Sequence, residues 1–155
     1  TRMRIEITVN DKRIQEEASA GLTLLQFLRS HGYKSVKCGC ETTNCGLCTV
    51  WMDEQPVLSC SVLIGRANGH RITTLEGLEQ EAKEFADFMA KEGAEQCGFC
   101  SPGFIMQVLA MKKEKKSWNR EEIRHWLAGN LCRCTGYMGQ LRAIEAWLQK
   151  GEHTV

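Results

Sequence analysis

The sequence predicts an α+β protein, with a strand-rich first part followed by a helical second part. Three observations carry that reading. Near the start, apolar residues alternate with polar ones, the period of a half-buried strand. After about Gly77 the alternation stops and apolar residues recur at helical spacing. Of nine cysteines, eight fall between these periodic segments and the ninth, Cys60, ends one.

The elements follow in order. Ile5, Ile7 and Val9 alternate with Glu6 and Thr8 as a strand, Asn10 and Asp11 signal a turn, and Lys12 to Glu16 returns as the second arm of a hairpin. Thr23 to Ser30 carries Leu24, Leu25, Phe27 and Leu28 on a helix, with Gly32 just past its end. The stretch from Cys38 to Cys48 is rich in Gly and small polar residues and reads as a loop. Thr49 to Met52 is a strand, Asp53 and Glu54 turn it, Gln55 to Cys60 pairs back, and Arg71 to Thr73 is a short last strand. A hairpin, one helix and further strands describe a β-grasp arrangement of the ferredoxin kind.

Four helical segments come next. Leu78 to Glu92 has Phe85, Phe88 and Met89 on one face. Ser101 and Pro102 read as N-cap and first helical residue, ahead of Phe104, Ile105, Val108, Leu109 and Met111. Asn119 to Glu122 is a capping-box variant with Ile123, Trp126 and Leu127 behind it. Leu141, Ile144, Ala146, Trp147 and Leu148 form the fourth, and the four together make a small bundle. The expected domains are residues 1–77 and 78–155. With two prolines and no repeat, low-complexity tract or Pro-rich linker, a compact pair of domains is expected.

Composition narrows the function. Hydrophobic residues make up 43% of 155 and charged residues 25%, so wholesale disorder is excluded. Twenty Lys and Arg against 19 Asp and Glu leave a net charge of +1, which argues against binding to nucleic acid or an acidic membrane. No apolar run approaches the roughly 20 residues of a bilayer span. Thr1 to Arg4 leads into a strand pattern with no apolar signal core behind it. An odd cysteine count makes a poor disulfide framework, whereas clustered thiols in a reducing compartment serve metals or redox chemistry. A cytoplasmic location is therefore expected.

Spacing divides the cysteines. Cys40, Cys45 and Cys48 read C-x4-C-x2-C, with Cys60 further on, the spacing of plant-type 2Fe–2S ferredoxins with an early fourth cysteine. Cys97 and Cys100, then Cys132 and Cys134, are short pairs at the joints of the helices. Four such thiolates suit zinc or an iron–sulfur cluster, and the single-residue gap in the last pair fits a zinc knuckle less well. A Rieske centre needs two His ligands, and no His lies beside these cysteines. Cys38 falls outside the spacing and reads as a spare thiol. His31, His70, His125 and His153 show no ligand spacing. Tyr137 and the four Trp read as packing rather than electron carriers. Lys112 to Lys116 reads as a solvated helix end, and residues 152–155 as a loose tail.

Three stretches together resemble a known family. They are Gly39 to Val50 (GCETTNCGLCTV), Gln96 to Gly103 (QCGFCSPG) and Gly129 to Tyr137 (GNLCRCTGY). Their order and spacing are similar to the small iron–sulfur subunit of the molybdenum hydroxylases, which includes xanthine dehydrogenase, aldehyde oxidoreductase and carbon monoxide dehydrogenase. The resemblance spans nearly the whole chain. It implies two 2Fe–2S clusters, the first held by Cys40, Cys45, Cys48 and Cys60 in a plant-ferredoxin-like β-grasp domain. Cys97, Cys100, Cys132 and Cys134 would hold the second in the four-helix bundle. It further implies a large molybdopterin-binding subunit, a medium FAD-binding subunit, and pterin contacts by Gln96 and Cys134. The implied assembly is a hetero-oligomer, a dimer of heterotrimers. The chain would pass electrons from the molybdopterin site to FAD, and the substrate would be held by the large subunit, with a purine as the first expectation and an aldehyde, a nicotinate-like heterocycle or carbon monoxide as alternatives. A free-standing ferredoxin-like carrier is the alternative, and a zinc-binding interaction module a third. The family usually has Gly near position 43 and Ala at position 47, where this chain has Thr43 and Leu47. Thr43 is expected to resist the positive φ that Gly would allow.

Overall fold

The computed structural model describes residues 1–114 and 117–152. Lys115, Lys116, His153 and the last two residues of the expected tail lie outside the described residues. The architecture is α+β. Strands β1 (Arg2–Val9) and β2 (Lys12–Ser19) form the expected hairpin, with the second arm longer than its alternation suggested. Helix α1 (Leu24–Ser30) buries Leu24, Leu25, Phe27 and Leu28. Its N-terminus is closed by Thr23, whose hydroxyl accepts from the Gln26 amide while the Gln26 side chain takes the Thr23 amide. Strands β3 (Thr49–Met52) and β4 (Gln55–Leu58) are antiparallel, and β5 (Arg71–Thr73) lies parallel to β1 and antiparallel to β3. The sheet order is β2-β1-β5-β3-β4.

Strand β4 stops at Leu58, short of the Cys60 that the sequence suggested. Ser59–Ser61 turns instead into a single 3-10 turn. The buried Ser59 hydroxyl donates to the Cys48 carbonyl at 2.7 Å, which swings Cys60 toward Cys48. The one-turn helix α2 (Ile64–Ala67) and a 3-10 turn at Leu75–Gly77 were not visible in the periodicity, because one turn is too short to show a period.

Helices α3 (Glu79–Lys91), α4 (Ser101–Glu114), α5 (Arg120–Trp126) and α6 (Met138–Glu152) make the helical part. Asn119 caps α5 in the expected box with Glu122. The start of α4 differs from expectation. The first helical hydrogen bond runs from the Phe104 amide to the Cys100 carbonyl at 3.1 Å, so Cys100 occupies the cap and Ser101 is the first helical residue. The Ser101 hydroxyl donates to Glu95 at 2.8 Å instead of capping.

Two apolar cores result. Ile5, Ile7, Val9, Phe27, Leu28 and Ile72 centre the first, and Phe85, Met89, Phe104, Met111, Ile144 and Trp147 the second. Trp51 crosses between them. It sits on β3, yet it is buried in the helical core and donates its indole N–H to the Met106 carbonyl at 2.9 Å. Lys113 lies 4.8 Å over the Trp51 ring and pairs with Glu54 in the β3–β4 turn. Lys112 lies 4.0 Å over Trp147. These two lysines are exposed, as expected of a helix end, but they also cover the seam between the cores. Among the described residues no helix is long and apolar enough to cross a membrane.

Candidate metal centres

The first cysteine loop runs from α1 to β3. Its backbone bends through two left-handed residues, Glu41 at φ 53° and Thr43 at φ 61°. The expectation that Thr43 would resist a positive φ is therefore corrected. A β-branched residue pays strain of about 1–3 kcal/mol there, and it persists because the surrounding loop over-determines it. Its consequence is a concave run of amides. The Thr42 and Asn44 N–H groups both lie 3.4 Å from the Cys40 sulfur. Such a nest favours an anion. The Thr42 hydroxyl, followed by the Thr42, Asn44 and Cys45 amides, draws the Cys40 thiol down to about 6.

Cys45, Cys48 and Cys60 complete this set. Burial pushes Cys45 up, with a contact to Cys40 adding to it. Burial and then the Cys48 side chain push Cys60 up to about 11. The thiols thus meet as Cys40 with Cys45 and Cys48 with Cys60. Gly39 has no room for a side chain, because a Cβ there would stand 2.9 Å from the Cys45 sulfur and 3.0 Å from Leu47. That bare position accommodates the larger Leu47, which is buried. Cys38 is exposed and its thiol donates to Glu41 at 3.3 Å.

The second set lies where two helix ends meet. Cys97 and Cys100 precede α4, and Cys132 and Cys134 precede α6. The short pairs of the sequence do not pair within themselves. The Cys134 and Cys97 sulfurs are 3.6 Å apart, and Cys100 faces Cys132. Burial, then Cys132, pushes Cys100 up to about 12. Burial also opposes ionisation of Cys132, but the Thr135 hydroxyl at 3.1 Å and nearby amides outweigh it and lower that thiol. Cys134 is raised by its contact with Cys97.

Neighbouring side chains fix this set. The Cys132 amide donates to the Tyr137 hydroxyl at 2.9 Å, so Tyr137 fastens the loop while its ring stays exposed. The Gln140 amide, buried, reaches the Cys100 sulfur at 4.0 Å. Gln96 is exposed and donates to the Cys134 carbonyl at 3.0 Å. The sequence reading missed Thr42, Asn44, Thr135 and Gln140, since nothing distinguishes a sulfur-facing polar residue from any other loop residue. Of the histidines, His31 and His70 face Glu16 and Asp53, away from either set.

The donor chemistry fits two dinuclear iron–sulfur groups. A 2Fe–2S rhomb takes two thiolates on each iron, and both cysteine sets sort into two pairs. Thiolates sharing a tetrahedral metal with bonds of about 2.3 Å lie about 3.8 Å apart, close to the 3.6 Å between Cys97 and Cys134. Among the described residues no three His, Cys, Asp or Glu side chains converge as they would around one ion.

The chain is similar to known proteins. Residues 7–90 match the family model of a 2Fe–2S iron–sulfur cluster binding domain, and residues 74–145 match that of a 2Fe–2S binding domain. The chain is 47% identical to the xanthine dehydrogenase iron–sulfur-binding subunit of Escherichia coli O157:H7, covering 86% of each chain. It is 37% identical to the nicotine 6-hydroxylase small subunit of Paenarthrobacter nicotinovorans, covering 92% of this chain and 88% of that one. Quinoline 2-oxidoreductase from Pseudomonas putida 86 superposes with a TM-score of 0.88 at 35% identity, over 99% of this chain and 98% of the matched chain. Two four-cysteine sets on an α+β frame, with these matches over most of the length, make the chain a member of the iron–sulfur electron-transfer subunits of the xanthine dehydrogenase-like molybdenum hydroxylases.

Proposed function

We propose that this chain relays electrons from a molybdopterin site on a large partner subunit, through two 2Fe–2S clusters, to FAD on a medium partner subunit. The observation that carries the reading is the two-by-two pairing of thiols in both sets. Cys40, Cys45, Cys48 and Cys60 hold the first cluster, and Cys97, Cys100, Cys132 and Cys134 the second. Bound there, each cluster accepts and releases one electron at a time. The chain's own residues supply the rest. Amides and hydroxyls of Thr42, Asn44 and Thr135 stabilise thiolate charge, and Cys48 is buried while Cys45, Cys60 and Cys100 are half-buried, which limits the access of water to sulfur.

The entry side is the helical domain, residues 78–155, with the ferredoxin-like domain at residues 1–77. Phe99, Leu131, Tyr137 and Met138 are 44–48% exposed around the second set. An apolar patch of that kind supports docking of the large subunit. Gln96 holds the backbone of Cys134 at the rim of this patch, which suits both for contact with the pterin. The 47% identity to a xanthine dehydrogenase subunit supports a purine as the substrate on the large subunit over an aldehyde, another N-heterocycle or carbon monoxide, and the complex is a cytoplasmic dimer of heterotrimers.

Rapid-mixing absorbance on the assembled complex tests the order. With Cys45→Ser, substrate is expected to reduce the second cluster at the parent rate while FAD reduction collapses. With Cys132→Ser, the first cluster is expected to stay oxidised through turnover. FAD reduction at the parent rate in the Cys45 variant would show that the ferredoxin-like domain is not the exit.

A further inference from the structure

Gln140 differs from the other buried polar side chains. It is 3% exposed, and the rest among the described residues are the hydroxyls of Thr49, Ser59, Thr74 and Ser101. It lies in the first turn of α6, a few residues beyond Cys134. That turn is held closely. A Cβ on Gly139 would stand 3.2 Å from the Glu92 carbonyl oxygen and 3.4 Å from Ala94, so the bare position lets α6 press against the end of α3. Arg142 pairs with Glu92 at 2.7 Å on the same side. Gln140 sits between these two contacts. Among the described residues the amide nitrogen of its side chain has one partner, the Cys100 sulfur at 4.0 Å. A buried amide is costly unless it finds a partner, and packing does not ask for one here. On its other side Gln140 lines a cleft of about 360 Å³ with Phe104, Ile123, Leu127 and Leu141, where an apolar side chain would serve.

The sulfur it faces belongs to the less exposed half of the second set. Cys100 and Cys132 are half-buried, whereas Cys97 and Cys134 are exposed. Thr135 donates its hydroxyl to the Cys132 sulfur at 3.1 Å. Both side-chain donors therefore serve the pair that water reaches least. Gln96, the amide on the exposed side, donates to the Cys134 carbonyl instead of a sulfur.

We infer that Gln140 is a positioning residue for electron transfer, whose side-chain N–H, directed at the Cys100 sulfur, raises the reduction potential of the helical-domain centre. The inference rests on the two-cluster relay proposed above. Each reduction adds one electron, supplied by substrate oxidised on the partner and later removed by a flavin. No bond forms or breaks and no proton moves, so the ligand sulfurs share one more negative charge. A donor aimed at sulfur stabilises the reduced form more than the oxidised one. Hydrogen bonds to charged acceptors are also shorter and stronger than those to neutral ones. The 4.0 Å contact to the neutral thiol is therefore expected to tighten once Cys100 is a ligand thiolate. Hydrogen bonds to sulfur and exposure to solvent together set the potential of such a centre. On this half of the set burial lowers it, and Gln140 with Thr135 opposes that effect. Gln140 thus acts on how readily the centre holds an electron, while the four thiols hold the centre.

The test uses the assembled complex with Gln140→Leu or Gln140→Met in this chain. Both replacements suit an apolar wall and lack the donor. A redox titration with dithionite and ferricyanide, followed by EPR, reads the midpoint potential of each centre. The two signals are assigned with the Cys45→Ser and Cys132→Ser variants. In either Gln140 variant the helical-domain centre is expected to become harder to reduce. Its equilibrium constant for one-electron reduction should fall by about tenfold, or about 59 mV. The first centre is expected to keep its parent potential and so serves as the internal reference. An unchanged or raised potential of the helical-domain centre, in a variant that keeps both centres, would overturn the role. Loss of that centre in both variants would also overturn it, since Gln140 would then be a structural prop. A parent complex with a single signal would instead overturn the relay on which the inference rests.

Discussion

At the scale of single residues, the two loops set their thiols apart by chemistry that is local. Cys40 sits in a nest of amides with the Thr42 hydroxyl beside it, and its thiol falls to about 6. Cys100 is half-buried, faces Cys132 and rises to about 12. In the metal-free full chain at pH 7, Cys40 is then mostly thiolate and Cys100 almost wholly thiol. The sign follows from the directions. The lowered Cys40 favours the folded chain above the ordinary thiol value, and this is lost as pH falls through about 6. Iodoacetamide reacts with the thiolate, so mass spectrometry is expected to find Cys40 labelled first and Cys100 last. Labelling of Cys40 is expected to fall off as pH drops through about 6. Equal labelling of the two at pH 7 would contradict the nest. The eight paired cysteines were legible in the sequence because spacing along a loop survives folding. Thr43 was not legible. Its left-handed backbone, at φ 61°, is imposed by closure of the loop against its own intrinsic preference.

At the scale of elements, strands and helices of full length were read correctly in kind, though β2 runs longer and β4 stops shorter than expected, and single turns were not read. Leu78 to Glu92 shows its period over several turns and folds as α3. Ile64–Ala67 offers one turn and no period. The cap of α4 was misplaced by one residue because Ser101 had a competing partner in Glu95, a contact that sequence proximity alone does not reveal. Trp51 shows the same limit. Its alternation places it on β3, but only the packed structure shows it filling the helical core. Trp51→Phe removes the bond to the Met106 carbonyl and part of the ring. Urea unfolding of the full chain is expected to show a loss of about 1–3 kcal/mol. No change would mean that the crossing indole does not join the two cores.

At the scale of the whole molecule, two cores meet along one seam, and both cysteine sets lie on it. The first loop reaches the second through Leu131 and Cys45, and Lys113 with Glu54 closes the other side. Sequence spacing grouped four thiols in each set, with Cys97 and Cys100, and Cys132 and Cys134, as short pairs along the chain, and left their partners across the site unassigned. The structure pairs them crosswise, Cys97 with Cys134 and Cys100 with Cys132, because two helix ends dock face to face. Two thiols on each side, whatever their order along the chain, are what a dinuclear group takes from its ligands. Iron and acid-labile sulfide analysis of the purified protein, with EPR after dithionite reduction, tests it most directly. The account predicts about four iron atoms and four sulfides per chain, with two distinct paramagnetic signals. About half that iron with one signal, or zinc in place of iron at either set, would contradict it.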